Sequence, residues 1–126
     1  MALKEYFENT KGFGVLSTAD KQGKVDAAVY SRPHAMEDGT IASIMSDRLT
    51  HENLKTNPHA VYLFLEEGTG YRGKRLFLTK IGEEQDSELI KEICRRCYPS
   101  DLQVNEPRFL VIFRVDKELP LVGTGE

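Results

Sequence analysis

Short segments rich in β-branched and aromatic residues follow one another along most of this chain, with turn signals between them. We predict a longer amphipathic helix only near the end of the chain, after five of six extended segments. Parallel strands need a crossover of a dozen or more residues, usually a helix, so this order favours antiparallel pairing. The sequence therefore predicts a mainly β (α+β) fold, a closed or half-closed barrel of six antiparallel strands. The predicted strands are 15–19, 25–36, 41–45, 60–65, 75–81 and 109–115, and the late helix is 86–98.

The local signals place the turns and the remaining helices. Asp38-Gly39 is the strongest hairpin signal in the chain, and it favours a tight turn between 25–36 and 41–45. Apolar residues at helical spacing in the first ten positions predict a short N-terminal helix that ends at Gly12 and Gly14. A second brief helix is expected near 50–56, where Pro58 stops it.

Two of the predicted strands are apolar at almost every position. The segment 60–65 reads Ala-Val-Tyr-Leu-Phe-Leu, and 109–115 is nearly as apolar. A continuous apolar run, instead of an alternating one, indicates a strand that is covered on both faces. We therefore expect cover on both faces of these two strands.

Composition limits the classes of function. A chain of 126 residues with 40% hydrophobic residues is typical of one packed domain, here 1–126. The net charge of −3 argues against non-specific binding to nucleic acid or to an anionic membrane. No apolar run reaches the length of a membrane span, and the first residues lack the apolar stretch of a secretory signal. The cytoplasm is the expected location.

Common catalytic and nucleotide motifs find little support. The loop from Gly68 to Lys74 matches the dinucleotide pattern G-x-G-x-x-G and the first seven positions of a phosphate loop. Both motifs require a helix to begin at the glycines, whereas here an alternating strand follows, which favours a hairpin loop. The chain contains no G-x-S-x-G nucleophile motif, and we name no catalytic side chain.

Cys94 and Cys97 form a Cys-x-x-Cys pair on the predicted late helix. A zinc site needs four ligands, and His34, His51 and His59 lack the required spacing. The pair lies at the C-terminal end of the helix, where the helix dipole does not favour a thiolate. Core packing is the preferred interpretation, and a thiol or metal site remains an alternative.

The polar segment after 41–45 could bind an anion. Ser46, Arg48 and Thr50 precede the brief second helix, so hydroxyl groups, a guanidinium and free backbone N–H groups could meet one phosphate. The alternative is a capped helix turn with a solvated arginine.

From Gly14 to about Leu65 the chain resembles the flavin-binding split β-barrel family, which includes pyridoxamine 5′-phosphate oxidase and small bacterial FMN-binding proteins. The most telling segment is Asn53-Leu54-Lys55-Thr56-Asn57-Pro58 followed by an apolar strand. The resemblance implies that FMN is bound, with its phosphate at 46–50 and its ring against 29–32. The implied cofactor-binding residues are Val29, Tyr30, Ser31, Arg32, Ser46, Asp47, Arg48, Leu49, Thr50 and Asn53.

The same resemblance implies a homodimer with a flavin at each of two interface clefts. Most relatives carry a lysine where this chain has Thr50, so Arg48 or Arg32 is expected to supply the positive charge. Asp47 would repel a phosphate, and it is therefore expected to point away or to cap the helix. The implied function is that of a flavin-dependent oxidoreductase or electron-transfer protein acting on a small substrate or a redox partner. A non-catalytic flavin carrier is the alternative.

Overall fold

The computed structural model describes residues 3–85, 90 and 108–123. The predicted late helix 86–98, with Cys94 and Cys97, lies outside these residues apart from Ile90. In chain order the elements are α1 Leu3–Asn9, β1 Gly12–Ala19, β2 Val25–Tyr30, β3 His34–Ala35, β4 Ile41–Ser46, α2 Leu49–Thr56, β5 His59–Glu66, β6 Gly73–Gln85 and β7 Arg108–Pro120. Neither helix is long and apolar enough to cross a bilayer within these ranges.

The strands form one antiparallel sheet in the order β2-β1-β5-β6-β7-β4-β3. The two end strands, β2 and β3, are joined only by 31–33, a connection that can span at most about 14 Å. Because the two ends of the order must therefore lie close together, the sheet curls into a barrel. The predicted mainly β, antiparallel fold is confirmed.

The sheet has seven strands instead of six because the predicted long strand 25–36 is divided. Pro33 has no N–H donor and restricts the residue before it, so the ladder stops after Tyr30 and resumes at His34. Asp38 and Gly39 do form the predicted hairpin, with Gly39 at a φ of 90°. It joins β4 to the short β3, and the long partner of β4 is β7.

One hydrophobic cluster fills the barrel. Alternate residues of β1, β4, β5, β6 and β7 point inward, as the two-residue period of a strand requires. Phe7 of α1 closes the cluster through edge-to-face contacts with Tyr62 and Phe64 at centroid distances of 6.2 and 5.3 Å. The inward strand residues are Leu16, Ile41, Met45, Ala60, Tyr62, Phe64, Leu76, Leu78, Phe109, Val111 and Phe113.

The outer face of the sheet is covered in one region and open in another. Outside β4 and β7, Ala42 and Leu110 pack with Ile90 in a second buried cluster. Outside β5, Val61 and Leu63 are only half-buried. The prediction that both faces are covered therefore holds for the first part of β7, and it is wrong for β5 in a single chain.

The first strand begins earlier than predicted. Gly12 and Gly14 lie inside β1 and do not end the preceding helix, which stops at Asn9. A Cβ atom at Gly14 would overlap the phenol of the buried Tyr62, so this strand position requires glycine. The glycine-rich segment 68–73 joins β5 to β6, which confirms the hairpin-loop interpretation over the nucleotide motifs.

Candidate functional site

The main cleft of the barrel lies between two unpaired strand edges. β2 pairs only with β1, and residues 43–46 of β4 pair only with β7, so each strand has one edge without a partner strand among the described residues. The space between these edges is a cleft of about 840 Å³. Its lining residues are Gly12, Phe13, Asp26, Ala28, Val29, Tyr30, Ser31, Arg32, His34, Ser43, Ile44, Met45, Ser46, Arg48, Leu49, Thr50 and Arg108.

The charge of this lining differs from that of the whole chain. Three arginines, Arg32, Arg48 and Arg108, line the cleft together with one acidic residue, Asp26. The chain as a whole carries a net charge of −3. Cations are thus concentrated in the cleft, where they would attract an anionic ligand.

One side of the cleft is the segment 29–32, which we call the β2 wall. The buried Tyr62 donates its hydroxyl to the carbonyl oxygens of Tyr30 and Ser31 at 3.2 and 3.1 Å. Arg32 donates from Nη1 to the carbonyl oxygens of Phe7 and Thr10 at 2.6 and 2.9 Å, at the C-terminal end of α1. These bonds hold the backbone of the β2 wall against the core and the first helix.

The opposite side is the segment 46–50, which we call the β4–α2 corner. Arg48 is the N-cap residue of α2, with extended backbone (φ −127°, ψ −166°) and no capping hydrogen bond from its side chain. Its carbonyl oxygen accepts from the N–H of Glu52 at 2.9 Å. The N–H groups of the first turn have no acceptor within the helix, and the positive end of the helix dipole lies there, so a helix N-terminus favours an anion.

Tyr30 and Thr50 line the cleft from its two sides. Burial raises the pKa of Tyr30, the polar side chain of Thr50 opposes this, and the negative charge of Asp26 adds to it. Tyr30 is therefore a neutral phenol at physiological pH.

The structure brings together eight of the ten residues predicted to bind the cofactor: Val29, Tyr30, Ser31, Arg32, Ser46, Arg48, Leu49 and Thr50. Asp47 and Asn53 do not line the cleft. Asp47 accepts a hydrogen bond from His51 at 2.8 Å, and the buried Asn53 donates to Thr18 at 3.0 Å. Asn53 therefore ties α2 to β1 behind the cleft.

Sequence reasoning missed several residues of the cleft. Arg108 lies opposite Ser46 in the β4–β7 register, and His34 lies in β3. Asp26 faces the cleft from β2. The alternating pattern of β2 could have indicated Asp26, but Arg108 becomes visible only once β7 is paired with β4.

The described residues contain no group of three or more histidine, cysteine, aspartate or glutamate side chains arranged to hold a metal ion. The thiol or metal alternative at Cys94 and Cys97 falls outside them and stays a hypothesis.

No family model and no curated protein sequence matches this chain. Several solved structures do match it. An FMN-binding protein from Syntrophomonas wolfei subsp. wolfei is similar at a TM-score of 0.76 with 22% sequence identity, over 95% of this chain and 84% of that one. A pyridoxamine 5′-phosphate oxidase-like protein from Listeria innocua matches at 0.66 and 18%, over 94% of each chain. The heme storage protein HutZ from Vibrio cholerae matches at 0.65 and 21%, over 98% and 96%.

These similarities establish the fold. The chain has the split β-barrel fold of the FMN-binding and pyridoxamine 5′-phosphate oxidase-like proteins, as the resemblance in the sequence predicts.

Proposed function

We propose that this chain binds FMN in the cleft, with the phosphate at the β4–α2 corner and the isoalloxazine ring along the β2 wall. The observation that carries the proposal is the concentration of three arginines along a cleft between two strand edges of an acidic chain. The FMN-binding protein of the same fold supports the identity of the ligand.

The phosphate would meet several donors at the corner. Ser46, Arg48 and Thr50 all line the cleft at this corner, where α2 begins, and Arg108 is the partner of Ser46 in the β4–β7 register. Each hydrogen bond from a charged group contributes about 1.5–3 kcal/mol, so two such bonds with the N–H donors would hold a dianion at micromolar concentration or below. Arg48 and Arg108 thus take the place of the lysine that most members of the resembled family carry.

The ring would lie between strand edges that present backbone N–H and C=O groups. Such edges can hydrogen-bond the polar rim of a planar ring, while Phe13, Val29 and Leu49 offer apolar contact. When bound, a flavin supplies hydride or single-electron transfer, and the protein's part is to orient the ring and set its hydrogen bonds. Tyr30, which lines the cleft opposite Thr50, would contact the ring end nearest the corner.

The proposed activity is an oxidoreductase or electron-transfer function toward a small substrate or a redox partner in the cytoplasm. A flavin carrier without its own turnover would use the same cleft. Steady oxidation of NADH or NADPH by the flavin-loaded protein, with an added electron acceptor, would support the enzyme, and binding without turnover would support the carrier.

A homodimer is part of the proposal because the outer face of β2, β1 and β5 carries apolar residues that the described part of the chain covers only partly. The outward residues form rows across β2, β1 and β5, and Val25 and Val29 are 83% and 72% exposed. A second copy on this face would give β5 the cover that its sequence predicts. The first row consists of Val29, Val15 and Leu63. The second row consists of Ala27, Ser17, Val61 and, on β6, Phe77.

The exposed Ala27 allows a test that leaves the core intact. Ala27→Arg should convert a dimer into a monomer in sedimentation velocity. Ile81→Arg, which changes another exposed residue outside these rows, should leave the dimer unchanged. A monomeric parent protein would contradict the dimer.

The direct test of FMN binding is the visible spectrum of the purified protein, followed by titration of the apoprotein with FMN. We expect flavin absorption bands and a dissociation constant that Arg48→Ala raises about 10- to 100-fold, because one charged phosphate contact is lost. Arg72→Ala removes an exposed arginine that does not line the cleft, and it should bind as the parent does. Equal affinity in the parent and Arg48→Ala would exclude Arg48 from the site.

Heme is a second candidate for the same cleft. His34 lines the cleft and carries the imidazole that an axial ligand would need, and a heme storage protein shares the fold. A Soret band in place of flavin bands in the same spectrum would favour heme.

A further inference from the structure

His51 is enclosed between two carboxylates behind the β4–α2 corner. Its side chain is 1% exposed. Its Nδ1 lies 2.8 Å from Oδ1 of Asp47, and its Nε2 lies 3.0 and 3.2 Å from the two carboxylate oxygens of Glu83. The ring stacks on Phe109 at a centroid distance of 3.9 Å and an interplanar angle of 17°. The ring therefore links α2 to β6 and rests on β7.

The two carboxylates place a hydrogen-bond acceptor at each nitrogen of the ring. Ionised carboxylates only accept hydrogen bonds, and a neutral imidazole has a single N–H donor. The hydrogen bond from His51 lowers the pKa of Asp47. Burial raises the pKa of Glu83, but the hydrogen bonds from Lys80 and His51 outweigh it and lower the pKa overall. With both carboxylates ionised, each ring nitrogen of His51 faces an acceptor, and only a ring with an N–H at both nitrogens can donate to both.

Two lysines flank the carboxylates that face His51. On β6, Lys80 pairs with Glu83 at 2.7 Å. On α2, Lys55 lies 3.9 Å from Asp47 and 3.4 Å from Glu52. On β7, the uncharged Phe109 covers the ring, and Arg108 precedes it and lines the cleft. Each of the two carboxylates therefore has a lysine beside it as well as a nitrogen of the His51 ring.

The position of His51 excludes two other roles. The ring does not line the cleft and is almost fully buried, so it cannot meet a substrate. Asp47 and Glu83 lie at opposite nitrogens of one ring, so the three side chains cannot converge on a metal ion, and none of the described residues form such a group.

We propose that His51 is a positioning residue: as an imidazolium it joins Asp47 to Glu83 and thereby fixes the β4–α2 corner for anion binding. Asp47 directly precedes Arg48, so anchoring Asp47 restrains the backbone that carries the guanidinium and the first turn of α2. This inference rests on the proposed function for its ligand, whereas the protonation state and the order of the corner are properties of the apoprotein.

The experiment has two arms that fail separately. In the first, ¹⁵N NMR of the apoprotein at pH 7 reports the ring nitrogens of His51, assigned by their loss in His51→Gln, and hydrogen exchange reports the amides of 48–50. We expect both nitrogens to be protonated in the parent. In Glu83→Gln and Asp47→Asn we expect a partly neutral ring and amides of 48–50 that exchange faster. A neutral single tautomer in the parent, or unchanged exchange in both variants, would overturn the proposal.

The second arm measures FMN affinity in the same proteins. Glu83→Gln and Asp47→Asn should each bind FMN about fivefold more weakly, at a temperature well below the unfolding transition of each variant. The matched control Glu52→Gln, a carboxylate of α2 that pairs only with Lys55 among the described residues, should bind as the parent does. Parent affinity in both network variants would contradict the positioning role. A parent that binds no FMN would contradict the proposed function, and the first arm would still decide the state of His51.

Discussion

The two sides of the cleft are held in place by different kinds of interaction. The β2 wall is held by neutral and charged hydrogen bonds to backbone carbonyl oxygens. The Tyr62 phenol donates to carbonyl oxygens of the wall itself, and Arg32 of the wall donates to carbonyl oxygens at the end of α1. The β4–α2 corner is fixed by ionised side chains around His51. The first arrangement depends on close packing and responds to steric change, whereas the second depends on charge and responds to pH.

The largest effect is expected from Gly14→Ala. The added methyl would overlap the phenol of Tyr62, which is 1% exposed and cannot move without disturbing the barrel interior. Overpacking of this kind costs about 3 kcal/mol, at the upper end of the usual range. Urea denaturation measures the loss. Gly82→Ala is the matched control, because a Cβ there meets no atom within 4 Å, and it should change the unfolding free energy by less than about 0.5 kcal/mol.

A smaller effect should follow from Tyr62→Phe. The ring stays, but the carbonyl oxygens of Tyr30 and Ser31 lose their shared donor, at a cost of about 1 kcal/mol. The exposed Tyr71 provides the control Tyr71→Phe, which should be neutral. We expect FMN affinity to fall in the first variant only. Unchanged stability and affinity in Tyr62→Phe would show that these bonds do not set the β2 wall.

The smallest effect is expected in the unfolding free energy at acid pH, and it arises from the carboxylates around His51 at the β4–α2 corner. The pKa values of Asp47 and Glu83 are lowered from 3.8 and 4.5, so below pH 5 the unfolded chain takes up protons before the folded protein does. Their contribution is complete above those ordinary values and is lost as the pH falls through the folded values. The double variant Asp47→Asn, Glu83→Gln should therefore lose less unfolding free energy between pH 5 and 3 than the parent. Asp38 and Asp116, whose pKa values are also lowered, are present in both proteins, so their contributions cancel when the two proteins are compared. Equal slopes would contradict the network.

Much of the fold is predictable because it depends on local rules. The turn at Asp38-Gly39, the brief helix ended by Pro58 and the two-residue alternation of the strands each follow from a few neighbouring residues. Strand partners are less predictable, since β4 pairs with β7, which lies far along the chain from it. The same long-range pairing brings Arg108 into the cleft and Glu83 to His51, so neither residue could be found by reading along the chain.

The individual residues of the site divide in a similar way. Eight of the predicted residues line one cleft because they lie on two continuous segments, 29–32 and 46–50, which the resemblance identifies together. Asn53 and Asp47 lie within the same motif, yet their side chains turn to Thr18 and His51. A linear motif locates the backbone of a site, whereas the direction of each side chain depends on packing from distant strands.

The proposed role of the β4–α2 corner is to bind the phosphate of a flavin. Parallel titrations of the apoprotein with FMN and with riboflavin, which lacks the phosphate, test it most directly. We expect riboflavin to bind at least about 100-fold more weakly, because two or more charged hydrogen bonds are absent. Equal affinities for the two flavins would contradict the account.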